Sequence, residues 1–224
     1  MTHAVQRRNI VVEGPVDAVL LVVLGWLLGI LGGPLASYLA RVRRARALTA
    51  ALKSELKETR YTMCSMVWSL RSRLGTLDRE VLEWMDPIER SYNGAGEIPE
   101  RREMWDQLMA LPAQEVAAAV AKRVRPNVGI SLKEYRMSLL DARLADVSIL
   151  PLDDQVTLSM ARHHLDLFNQ EVAFLRQQSN LTFDPAAYAA NRESIDKNLA
   201  DGYAKLADRA RIAADAMSRF ITDG

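Results

Sequence analysis

One cysteine, Cys64, leaves no partner for an intramolecular disulfide, so the fold is not a stapled scaffold and suits a reducing compartment. Charge of one sign is also missing. Lys and Arg number 29 against 28 Asp and Glu, a formal +1 that supplies no net pull toward nucleic acid. No stretch alternates apolar and polar residues long enough to read as a strand, and no internal repeat or low-complexity tract appears. Glu-x-x-His motifs of a di-iron bundle are absent. The glycine-containing segment YNGAGEIP lacks the following Gly-Lys-Ser/Thr and the preceding strand of a phosphate cradle. These absences leave an all-α chain in which neither catalysis nor a cofactor is indicated.

What is present begins with one long apolar run. Ala18 to Ala40, AVLLVVLGWLLGILGGPLASYLA, carries no charge between Asp17 and Arg41. As a helix its 23 residues extend about 34 Å, enough to cross a hydrocarbon core of about 30 Å with some tilt. A cleaved secretory signal would be shorter and end at a small-x-small site, whereas this run stops at RVRR. Arg41, Arg43, Arg44, Arg46, Lys53, Lys57 and Arg60 follow it, against Arg7 and Arg8 before it, so the positive-inside rule puts the C-terminal side in the cytoplasm. Arg41, Arg43, Arg44 and Arg46 are also placed to meet anionic lipid head groups. Gly25, Gly29 and Gly33 recur every four residues and Ser37 continues the row, a face on which another span can approach closely. Pro34 lacks the N–H that would continue the helix ladder and is a candidate kink.

The remaining chain, about 180 residues, is long enough to bury a core. Gly14-Pro15 breaks any helix ahead of the span, so residues 1–17 read as a tail. From Val42 to about Met85 a heptad runs through Leu56, Met63, Leu70, Leu77 and Trp84, with Val67, Leu74 and Val81 between, and predicts one long helix. Gly75 weakens this helix without forbidding it. Asp86-Pro87 ends that helix or caps a short one, and Tyr92 to Pro99 reads as a loop. Pro99 and Pro112 suit first-turn positions of two short helices. Ser131 and Glu134 have the spacing of a capping box that would start a helix running to Val147. Leu158, Ala161, Leu165, Phe168, Val172 and Leu175 form the seam of the next helix. Asp184-Pro185 then begins a last helix with the seam Ile195, Leu199, Gly202, Leu206, Ala210, Ala213, Met217 and Phe220.

The fold expected is an N-terminal transmembrane helix followed by a helical bundle with long heptad-patterned helices. Its parts are a short extracytoplasmic tail (1–17), a transmembrane helix (18–40), a basic juxtamembrane segment (41–47) and a helical cytoplasmic domain (48–224). The stretch Ser138 to Leu175, SLLDARLADVSILPLDDQVTLSMARHHLDLFNQEVAFL, together with the span and ALTAALKSELKE, resembles uncharacterised bacterial single-span membrane proteins with a helical cytoplasmic domain. The resemblance implies this fold and topology at an inner membrane, and it brings no activity or site residues with it.

Each candidate for chemistry has a plain packing explanation. His163 and His164 are adjacent, so on a helix they point about 100° apart and cannot share one metal as an i, i+4 pair would. One is expected to flank the seam and the other to be solvated. Cys64, between Met63 and Met66, reads as buried packing. Asp153, Asp154, Asp166, Glu171, Asp196, Asp201 and Asp208 read as solvated faces, and Asn180-Leu181-Thr182 is no glycosylation acceptor on a cytoplasmic side. Three function classes follow: a membrane-anchored interaction or scaffold protein, which the seams favour, an oligomeric membrane effector or regulator assembled through the glycine row, and an enzyme with a scattered site. The partners expected are the membrane, a second copy through the span and a cytoplasmic protein, with no cofactor, no metal and no nucleic acid.

Overall fold

The computed structural model describes residues 15–92, 99–122, 130 and 132–223, and every regular element among them is a helix. The chain divides into two units, with the boundary between Ala47 and Leu48. Helix α1, Pro15–Leu74, supplies the described part of the first unit and opens the second. It starts three residues before the expected span, because Pro15 occupies a first helical position, where its missing N–H costs nothing. The tail expected over 1–17 therefore ends by residue 14, and those residues lie outside the described part of the chain. α1 also runs through Pro34. It is the one described helix long and apolar enough to cross a membrane.

The long helix expected to reach Met85 stops at Leu74 instead. Gly75 adopts φ 67°, a left-handed conformation that only glycine enters without a steric cost. The Gly75 N–H then donates to the Ser72 carbonyl at 3.1 Å and the Thr76 N–H to the Arg71 carbonyl at 2.9 Å, which satisfies the last carbonyls of α1. Three residues later Asp78 caps α2, Arg79–Ser91, by accepting from the Val81 N–H at 2.9 Å. Pro87 does not end α2, and the helix passes through it. The adjacent Asp86 carboxylate is held by Arg90 Nε at 2.9 Å and by Trp105 Nε1 at 2.9 Å. Burial works to raise the Asp86 pKa, and the hydrogen bonds from Trp105 and Arg90 outweigh it, so the carboxyl sits below its usual range.

Helices α3, Pro99–Ala110, and α4, Ala113–Ala121, lie where the sequence puts them, with Pro99 first in α3 and Pro112 as the N-cap of α4, one place earlier than expected. The loop expected after Tyr92 falls on residues 93–98, outside the described part. Arg79 ties α2 to the joint of α3 and α4 by donating to the Met109 carbonyl at 2.7 Å and to the Leu111 carbonyl.

The helix expected from Ser131 to Val147 is not continuous: Ser131 lies outside the described residues, 132–137 form no regular element, and two short helices follow, α5, Ser138–Ala142, and α6, Leu144–Val147. Side chains from elsewhere claim the backbone groups that a helix would have paired. Asn169 accepts from the Tyr135 N–H at 3.0 Å and donates to its carbonyl at 2.7 Å. Arg176 takes the Leu132 carbonyl at 2.8 Å and the Glu134 carboxylate at 2.9 Å, which removes Glu134 from any capping box. The Glu55 carboxylate of α1 accepts from the Leu139 and Leu140 N–H groups at 2.6 and 3.0 Å, capping α5 from outside.

Two long helices complete the bundle: α7, Leu152–Leu181, and α8, Pro185–Asp223, the latter kinked at Asn191. Asp184 caps α8 through the Ala186 N–H at 3.0 Å. α7 and α8 run antiparallel, and their seams are the heart of the core, with Phe168, Val172, Leu175, Leu206, Ala210, Ala213 and Met217 fully buried. At Gly202 the Leu175 side chain packs against the α8 backbone, since a methyl group there would run into Leu175 Cδ2 and sit 3.2 Å from Leu175 Cγ. On this pair packs the second half of α1, whose Arg71 meets Asp208 at 2.5 Å, and α2, whose Trp84 Nε1 donates to Asp215 at 2.7 Å.

Leu70 is fully buried, while Leu74, in the last turn of α1, is half-exposed. Leu70→Ala should cost about 2–5 kcal/mol and Leu74→Ala clearly less. Denaturant unfolding of the chain in mild detergent, followed by helical circular dichroism, measures both; equal losses would mean that α1 packs differently.

Candidate functional site

Gly25, Gly29, Gly33 and Ser37 all lie on α1 and are exposed, with open space within 4 Å of where each glycine would carry a Cβ. Arg41, Arg43, Arg44 and Arg46 follow on the same helix, exposed and without an ion pair among the described residues. From Val19 to Leu39 every large apolar side chain of α1 is exposed.

His163 is exposed and His164 half-buried beside the seam, as expected of adjacent positions. Burial lowers the His164 pKa, helped by the charges of His163, Arg209 and Arg219, and its Nδ1 is buried without a hydrogen-bond partner. Cys64 is buried, with Sγ 4.0 Å from Glu89 Oε1. Of the carboxylates taken as solvated, Asp154 is half-buried, and the clear departure is Glu171. It is buried against α8 and paired with Lys205 Nζ at 2.6 Å, since a buried carboxylate left alone would be strongly destabilising.

A cleft of about 110 Å³ opens beside α1 and α2, lined by Lys57, Glu58, Arg60, Tyr61, Ser91 and Tyr92. Tyr61 and Tyr92 stack across it with ring centroids 3.6 Å apart, and the Tyr92 hydroxyl donates to Glu58 at 2.7 Å. Arg60 donates to the hydroxyls of Ser91 and Ser218 at 3.2 and 3.3 Å, near the C-terminal turns of α2 and α8. Burial draws its pKa below the ordinary value, with a smaller opposing contribution from Cys64. A cation between two helix C-termini offsets the negative ends of both dipoles, which makes Arg60 a structural strut.

The feature that sequence reading missed is the outer face of α7. At about 100° per residue the buried seam from Leu158 to Leu175 occupies one side of the helix. Leu152, Val156, Met160, Leu167, Phe174 and Leu181 occupy the opposite side. All but half-buried Leu167 are exposed, from 38% at Leu181 to 71% at Leu152. His163, Gln170 and Gln178 fill the other positions of this stripe. The spacing was legible in the sequence. Assigning α7 a single seam hid it, because a surface helix with one apolar face is the ordinary case.

No protein-family model, curated protein or solved structure matches the chain.

Two phenylalanines on α7 separate its faces. Phe168 is fully buried and Phe174 is 45% exposed. Phe168→Ala should cost about 3–5 kcal/mol, and Phe174→Ser should change the stability of the detergent-solubilised monomer by no more than about 0.5 kcal/mol. Denaturation midpoints check the pair, and a large loss at Phe174 would show that the outer face belongs to the core.

Proposed function

We propose that the chain is a membrane-anchored helical interaction protein with no catalytic role. The apolar helix crosses an inner membrane once, the basic residues after it hold the domain on the cytoplasmic side, and Arg41, Arg43, Arg44 and Arg46 meet anionic head groups there. Gly25, Gly29, Gly33 and Ser37 serve span association.

The observation that carries this reading is the outer face of α7. Single exposed apolar side chains are ordinary on a protein surface, whereas a row of five, with half-buried Leu167 among them, along one helix side is a recognition feature. An amphipathic helix presenting anchors at i, i+4 and i+7 spacing is a common protein-docking surface. The anchors here include an aromatic and a methionine, residue types favoured at interface cores.

A photo-reactive phenylalanine analogue in place of Phe174, in intact cells, should form an adduct with a protein. The same analogue at Ala173, exposed on a different side of α7, should not. Equal labelling at the two positions, or none at either, contradicts the reading.

A further inference from the structure

We propose that the cleft beside α1 and α2 binds a phosphate group between Lys57 and Arg60.

The charges on its wall are unequal. Lys57 and Arg60 stand one turn apart on α1, and neither makes an ion pair among the described residues. Glu58 is the one acidic side chain among the described lining residues, and its carboxylate accepts from the Tyr92 hydroxyl at 2.7 Å. Elsewhere in the domain Arg71, Arg162, Arg176 and Lys205 each meet a carboxylate. In the cleft, positive charge is in excess.

Arg60 is held in place without being neutralised. Its guanidinium donates to the Ser91 and Ser218 hydroxyls, and each hydroxyl in turn donates to a backbone carbonyl, Ser91 to Ile88 at 3.2 Å and Ser218 to Ala214 at 2.9 Å. Two neutral acceptors thus fix a half-buried cation, and the helix ends near it carry only partial charge. A cation drawn out of water without an anion is destabilising, so the site gains from an oxyanion that reaches it. Arginine has five N–H groups, of which these bonds use two. Nε is buried and without a partner, so a ligand is met by the remaining Nη hydrogens.

Size and donor set narrow the ligand. A volume of about 110 Å³ is the share of about three or four waters, room for one phosphate or carboxylate group and too little for a nucleotide. Lys57, Arg60 and the Ser54 hydroxyl, which makes no hydrogen bond among the described residues, supply donors from three side chains. Such a set suits a tetrahedral group with three acceptor oxygens better than a planar carboxylate. Ile88 and the stacked rings of Tyr61 and Tyr92 add apolar wall, which lowers the local dielectric and strengthens charge-assisted hydrogen bonds.

Equilibrium dialysis of the full chain in an uncharged, sugar-headed detergent against radiolabelled inorganic phosphate, at an ionic strength fixed with chloride, tests this. One saturable phosphate per chain is expected. Lys57→Gln, at an exposed position, should weaken it by about tenfold or more, and Lys197→Gln, exposed near the N-terminal end of α8, should leave it unchanged. Arg60→Gln should abolish it. Because Arg60 also braces two helices, Lys57→Gln with unaltered helical circular dichroism decides the matter if the Arg60 variant does not fold. Absence of saturable binding, or equal binding by Lys57→Gln and the unaltered chain, overturns the proposal. The source of the group is read from the chain reconstituted in phosphatidylcholine vesicles with and without phosphatidic acid. Loss of the label only where phosphatidic acid is present means a lipid head group, and retention in both means a soluble phosphate.

Discussion

The antiparallel contact of α7 with α8 is the constraint on which the rest of the domain depends. Gly202 offers no side chain where the Leu175 side chain fits in, and a Cβ there would force that side chain to move. The same contact buries Glu171, and Lys205 answers it at 2.6 Å, fixing the register of one helix against the other. α1 and α2 then lie on the surface this pair creates, with Arg71 on Asp208, Arg211 on Glu80 at 3.1 Å, and Arg211 over the Trp84 ring at 5.3 Å. These exposed charge pairs contribute little individually. Their use is in orientation, since each joins a residue of α1 or α2 to one place along α8.

Fixing the inner side of α7 also fixes what is left outside. With Leu158, Phe168, Val172 and Leu175 turned to α8 and the core, Leu152, Val156, Met160 and Phe174 have no neighbouring helix to cover them among the described residues. The exposed row is thus a consequence of the same packing, and it cannot be withdrawn without rotating α7 and exposing Phe168. Under the proposed function, such a row on a domain that follows a helix long and apolar enough to cross a membrane serves a contact made at that membrane.

The helical class, the long apolar N-terminal helix and the seams of α7 and α8 were legible because each rests on a pattern longer than a few turns. Failures came where one residue or a distant side chain outweighed a pattern. The heptad of α1 continues in sequence through Leu74, Leu77 and Val81, yet Gly75 takes a left-handed conformation and Asp78 restarts the helix, so one pattern became two elements. Pro87 lies inside α2 although a proline usually closes a helix. The spacing of Ser131 and Glu134 satisfied a local rule, but Arg176 takes the Glu134 carboxylate that a capping box would use, and Asn169 and Glu55 take backbone groups of Tyr135, Leu139 and Leu140 that a continuous helix would pair. The outer row of α7 is visible as spacing, but a helix with one buried seam ordinarily turns a polar side to solvent, so the seam alone does not announce a second apolar face.

The central claim is that the outer face of α7 is covered when the protein sits in its membrane. The rate of maleimide reaction at Phe174→Cys, in native membranes and again after full solubilisation in strong detergent, measures that cover directly, since Cys64 is buried and stays silent. The rate should be low in membranes and rise to that of Ala173→Cys on solubilisation. Equal rates at both positions in intact membranes would contradict the claim.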